Sequence, residues 1–197
     1  MSSERTPVEP SDMLARIIEA ATGLFVARGY RGISMREIAA AAGISKAGLY
    51  YHFKDKEELF LAILTAHLAA VVEIIHDACR QEVTARQRVT HMLRGILTLP
   101  PEQRTIIRLA NQEMVHVSQT GRSGFDELYH RKFIGQVEEI LQAGIAQGEL
   151  RPVNSQLATW LLLGMAYPLL SSNHPSDAMN EASELMVSVF FDGLTLR

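Results

Sequence analysis

Residues 43–56 read GISKAGLYYHFKDK, which sets three lysines, two adjacent tyrosines and a histidine against one aspartate. Ammonium, phenol and imidazole groups all donate hydrogen bonds to anionic oxygens, so Tyr50, Tyr51, His52, Lys54 and Lys56 suit the holding of phosphates. Ser45, Ala47 and Gly48, just ahead of them, are slim enough to bring a backbone close to base edges or a thymine methyl. Lys46 among them can reach a guanine or a phosphate. Phosphate contacts fix register, whereas contacts to base edges specify sequence. Lysines and arginines balance acidic residues eight to eight over residues 1–60 and stand at eleven to fourteen beyond, within a formal net charge of −3. The positive patch is therefore local, and the chain is no indiscriminate polyanion binder.

Short helices must position these groups. Apolar spacing is helical throughout and no alternating strand pattern persists, so the expected class is all-α. A first helix opens near Ser11 or Asp12, buries Ile17, Ile18, Ala21, Leu24 and Phe25, and ends at Gly29. Ser34 to Glu37 form a capping box that starts a second helix running to about Ala42. Gly43 suits a left-handed helix end, and Ser45 caps the next start. Asp55 to Glu58 repeat the capping pattern ahead of a long helix that carries Leu59, Phe60, Ile63, Leu64, His67, Val71 and Ile75 to about Ala78. Thr84 to Gln87 and the LPPE of residues 99–102 start two more helices. Loops are expected at 118–127, 147–155 and 171–177, and helices fill the gaps, about nine in all.

A helix, a tight AGIS turn and a second short helix form a helix-turn-helix, at about 34–53, which places its second helix in the major groove of DNA. The stretch ISMREIAAAAGISKAGLYYHFKDKEELF resembles the DNA-binding core of the TetR family of bacterial one-component transcriptional regulators, and IIEAATGLFVARGYRGISMREIA resembles the family's first two helices. The resemblance implies a DNA-binding domain at 11–71 and a helical effector-binding and dimerisation domain at 72–197. It implies that Ser34, Arg36, Ser45, Lys46, Ala47, Gly48, Tyr50, Tyr51, His52 and Lys56 face DNA. It implies also a homodimer on a palindromic double-stranded operator, released by a small, largely apolar effector, with the last two helices as the dimer surface. Leu161, Leu162, Leu185, Met186, Val189 and Phe190 give those helices broad apolar faces.

The rival readings find less support. There is no GxxxxGK[ST], GxGxxG or GxSxG, so no catalytic or phosphate-cradling motif is visible and no cofactor is expected. Glu73, His76 and Asp77 share a helix face that can donate metal ligands, but with Arg80 beside them a solvated charged face is preferred, and no metal site is assigned. A helical adaptor with no DNA function stays open as an alternative. The lone Cys79 and an opening without an apolar signal core lead to a cytoplasmic expectation. The apolar run from Trp160 to Leu170 falls short of the ~20 residues that cross a bilayer, so no membrane partner is expected.

For the effector, Met92, Asn111, Met114, Tyr129, Phe133, Trp160, Met165 and Tyr167 combine adaptable sulfur, aromatic surface and polar tips of the kind an apolar ligand site uses. Each is equally a core residue by spacing alone.

Overall fold

The computed structural model describes residues 10–170 and 176–194, which form helices without a strand among them. The elements are α1 (Pro10–Arg28), α2 (Met35–Ala41), α3 (Lys46–His52), α4 (Lys56–Gln81), α5 (Ala85–Leu97) and α6 (Pro101–Glu113). A 3₁₀ turn, Met114–His116, leads to α7 (Gln119–Tyr129), which passes through a π turn, His130–Ile134, into α8 (Gly135–Ala146). Last come α9 (Ser155–Leu170) and α10 (Ser176–Leu194). Since α7, the π turn and α8 run on without a break, the described residues make nine rods.

The expected loop at 118–127 is helix instead. Ser118 caps α7, its Oγ accepting from the Gly121 amide at 3.1 Å, so the Ser/Gly-rich composition marks a helix start. Gly121 is small because α4 passes close: a Cβ there would lie 2.6 Å from Glu57 Oε1. Tertiary packing outweighs the weak helix propensity of glycine. The loop expected at 171–177 lies largely outside the described residues.

Local chemistry explains the short N-terminal helices. Ser34 and Glu37 close their capping box. After α2, Gly43 sits at φ 68°, Ile44 N–H donates to Ala39 at 3.0 Å and Gly43 N–H to Ala40 at 3.1 Å, so the left-handed glycine ends the helix and releases the chain into the turn. Arg16 of α1 donates to the Ala42 carbonyl at 2.9 Å, tying the first helix to that turn. At the start of α4, Asp55 accepts from Glu58 N–H, while the Glu58 carboxylate accepts from Lys54 N–H, one residue ahead of the cap.

Two apolar cores result. The first gathers Ile17 and Phe25 of α1, Ile38 of α2, Leu49 of α3 and Leu59 to Leu64 of α4, and also takes in Ile106, Leu109 and Val117 from beyond α5. The second starts at Leu68 and collects the rest of α4 with α5, α8, α9 and α10. The cores therefore divide within α4 between Leu64 and Leu68, ahead of the boundary expected at 71/72. At 26 residues α4 is long and apolar enough, by length and composition, to span a bilayer, yet its buried face is shared between the two cores, the part of a spine.

Candidate DNA-reading surface and internal cavity

On the first core, Leu49 and Phe53 are the buried side of α3, and burying them turns the rest of the helix outward. Ser45, Lys46, Ala47, Tyr50 and Tyr51 are exposed, with Gly48 and His52 half-buried. Tyr51 stands clearest, 87% exposed, with the His52 ring edge-on at 5.3 Å. Tyr50 is 44% exposed and carries the Lys46 ammonium 5.6 Å from its ring centroid. Ser45 Oγ accepts from Gly48 N–H at 2.9 Å, so its hydroxyl caps the helix. Ser34 and Arg36 are exposed at the start of α2.

Lys56 differs from its expected place. Its ammonium donates to the carbonyls of Tyr30 at 2.8 Å and Ile33 at 3.0 Å and lies 4.5 Å from the Tyr30 ring centroid. Burial lowers its pKa, with Glu113 and Glu37 opposing that shift. Lys56 thus pins the turn between α1 and α2 and leaves at most one hydrogen to point elsewhere. Glu37 is held more strongly: hydrogen bonds from Ser34, then from Arg28 at 2.8 Å, lower its carboxyl pKa to about 2. That fixes α2 against the end of α1.

A cavity of about 460 Å³ opens between α4, α6, α7 and α9. Of the residues expected there, Asn111, Met114, Tyr129, Phe133, Trp160 and Tyr167 line it. Two do not. Met92 is fully buried on α5, filling the second core, and Met165 projects from α9 toward solvent. Phe125, Tyr129 and Phe133 make one aromatic wall, with successive centroids 6.4 and 5.2 Å apart. In an α-helix residues four apart drift by about 40° around the axis, and the wider π turn after Tyr129 returns that drift, which keeps Phe133 in line. Burial pushes the Tyr129 pKa up to about 12, so its hydroxyl keeps its proton.

Two features escaped the sequence reading. His67, placed there in an apolar stripe, has its Nε2 buried without a hydrogen-bond partner on the cavity wall. Glu57, in the first turn of α4, accepts from Ser118 N–H at 2.8 Å and from Ser118 Oγ at 2.5 Å, joining the start of α4 to the start of α7, 61 residues on. Only the polar residue within an apolar stripe was a signal available in the sequence. Elsewhere on α4, Glu73 pairs with His76 at 3.3 Å and Asp77 with Arg80 at 2.6 Å.

The second core also sorts the expected dimer face. Leu162, Met186 and Phe190 are buried within the chain itself, whereas Leu157, Leu161, Leu185 and Val189 are exposed, each pair one helical turn apart on α9 or α10. Such an apolar stripe on two neighbouring helices lacks a partner among the described residues.

Residues 17–63 match the family described as bacterial regulatory proteins, tetR family, and residues 82–169 match the tetracyclin repressor-like C-terminal domain. The HTH-type transcriptional activator FasR of Mycolicibacterium smegmatis is 43% identical over 74 residues, 38% of this chain and only 34% of that protein. An uncharacterized HTH-type transcriptional regulator of Bacillus subtilis, YhgD, is 25% identical over 81% of this chain and 84% of its own length. Among solved structures, AibR in complex with isovaleryl coenzyme A and operator DNA superposes with a TM-score of 0.74 at 25% identity, over 91% of this chain and 98% of that one. A bacterial regulatory protein in the tetR family from Rhodococcus RHA1 shares the fold, with a TM-score of 0.78 at 23% identity over 94% and 98% of the two chains.

Proposed function

The chain belongs to the TetR family of bacterial regulatory proteins, and from that premise we propose that it is a homodimeric, cytoplasmic repressor freed from a palindromic operator when a small, largely apolar effector enters the cavity. As a member it is a DNA-binding transcriptional regulator and not an enzyme. In this proposal residues 11–71 form the reading unit and 72–197 the effector and dimerisation unit, with α4 shared between them. The exposed residues of α3, and Ser34 and Arg36 of α2, contact the operator. The stripes of α9 and α10 pair with their copies as a four-helix interface.

The observation that carries this reading is α4 itself. Its first turn is fastened to the α1–α2 turn by Lys56 and to α7 by Glu57, while Leu64, His67, Leu68 and Val71 further along line the cavity. Any molecule that moves the cavity walls acts on a rod whose end sets the angle of the reading unit. A ligand shifts that equilibrium only by its differential affinity for the DNA-competent and incompetent states. A tenfold loss of operator affinity needs about 1.4 kcal/mol of coupling, and linkage makes operator weaken the ligand by the same factor. AibR, crystallised with both an acyl-coenzyme A and operator DNA, offers a precedent for one protein of this fold holding both kinds of partner.

The test begins with selection of bound fragments from the source genome, followed by reciprocal titration with an inducer drawn from the neighbouring genes' substrates. The inducer should bind more weakly with saturating operator than without it. Equal affinities would eliminate the lever.

A further inference from the structure

The cavity wall holds an unanswered polar atom. His67 Nε2 is buried beside Leu64 and Leu68 with no hydrogen-bond partner, an arrangement that is costly unless something else supplies one. Nε2 of a neutral imidazole donates or accepts according to tautomer. A hydroxyl, which does both, can answer it in either tautomer.

Charge narrows the occupant further. Burial pushes the His67 pKa below the ordinary histidine value, so the ring is neutral at pH 7. The charged residues on the cavity lining, Arg122 and Asp126, are of opposite sign, one turn apart on α7, and exposed at its rim, with Arg122 already donating to the Val117 carbonyl. A carboxylate carried in to His67 would find a neutral ring and hydrocarbon, with no counter-charge. The Phe125–Tyr129–Phe133 wall suits a flat ring, and about 460 Å³ lies toward the small end of ligand pockets.

We infer that the effector is an uncharged, mostly hydrocarbon molecule whose hydroxyl bonds to His67 inside the cavity, an inference that rests on the cavity being the effector site. Three matched probes test it on the full-length protein: 4-butylphenol, butylbenzene and 4-butylbenzoate. Trp160, the chain's single tryptophan, is on the cavity wall and reports binding by fluorescence, with calorimetry as a second reading. The phenol should bind about tenfold more tightly than the hydrocarbon, and more tightly than the benzoate. His67→Leu should erase the phenol's advantage, keep the affinity for butylbenzene and melt no lower than the wild type, and His67→Gln should restore part of the preference. Equal binding of phenol and hydrocarbon, tightest binding of the benzoate, or a preference that survives in His67→Leu overturns the hydroxyl contact while leaving the cavity as an effector site. If none of the three binds, the inference and the cavity reading fall together, and the wild-type comparison decides this whether or not either variant folds.

Discussion

The exposed face of α3 and the exposed stripes of α9 and α10 are both surfaces without a partner among the described residues, and they differ in kind. The α3 surface is polar and cationic, made of Lys46, Tyr50, Tyr51 and His52 on a seven-residue helix held by caps at both ends. The α9–α10 surface is apolar, made of Leu157, Leu161, Leu185 and Val189 on helices of 16 and 19 residues. A polar surface of this kind can meet its partner transiently and with strong salt dependence. An apolar one is stable only when covered. In the proposed function the first surface meets a partner that the chain must be able to leave, and the second meets one that it keeps.

Breaking the kept interface should have the largest effect. Leu185→Glu combined with Val189→Asp should convert the dimer to monomer in sedimentation and lower operator affinity by at least about 100-fold, since a single reading unit supplies half the contacts of a two-fold pair. Phe190 is the wrong place for this test despite its position on α10: it is buried in the second core, and a charge there would unfold the chain rather than split a dimer. A double variant that remains dimeric would place the interface elsewhere.

Next in size are single changes on α3. Tyr51→Ala and Lys46→Ala should each weaken operator binding by about 1–3 kcal/mol without lowering the melting temperature, as both side chains are exposed. Lys46→Ala should also reduce the salt slope by about one if the ammonium meets a phosphate. Lys56→Ala gives the contrast: its ammonium pins the α1–α2 turn, so the variant should lose thermal stability together with affinity. Unchanged affinity in folded Tyr51 and Lys46 variants would remove α3 from the reading surface.

The same contrast explains what could be read from the sequence. The capping boxes, Gly43 and the spacing of Leu49 and Phe53 act over four or five residues, so the helix-turn-helix was visible in its own segment. Lys56 reads as a free cation within its own segment because its partners, Tyr30 and Ile33, lie 26 and 23 residues away. The start of α7 was read as loop because the reason for Gly121 is Glu57, which no local rule connects to it. A cavity is less legible still, since it is defined by atoms that are missing. Met92 and Phe133 look alike as apolar helical residues, both are buried in the second core, and only the assembled packing of α4, α6, α7 and α9 decides that Phe133 also borders the cavity.

The link between the two regions can be weakened without touching either surface. Glu57→Ala removes the carboxylate that holds Ser118 N–H and Oγ, and leaves Ser118 free to cap α7. Operator affinity in the absence of effector should change little, whereas the loss of affinity caused by saturating effector should shrink several-fold, within the about 0.5–2 kcal/mol by which coupling residues act. Operator titrations with and without effector check this. A full response in the variant would assign the coupling to the packing of α4 alone.

The smallest expected effect is on the pH dependence of the reading unit's own stability. Glu37 accepts from Ser34 and Arg28, and its carboxyl pKa falls from the ordinary 4.5 to about 2. A group whose pKa is lowered by folding stabilises the folded state above its unfolded value and loses that contribution as pH falls through the folded one. The Glu37 contribution should therefore be complete above about pH 4.5 and gone near pH 2. Glu37→Gln should melt somewhat below the wild type at pH 7, and the gap should close as both are taken down through that window. The side chain is exposed, so solvent screening keeps the gap small and added salt should narrow it further. A gap that stays constant from pH 7 to pH 2 would mean that Glu37 acts through its shape in the capping box, not through its charge.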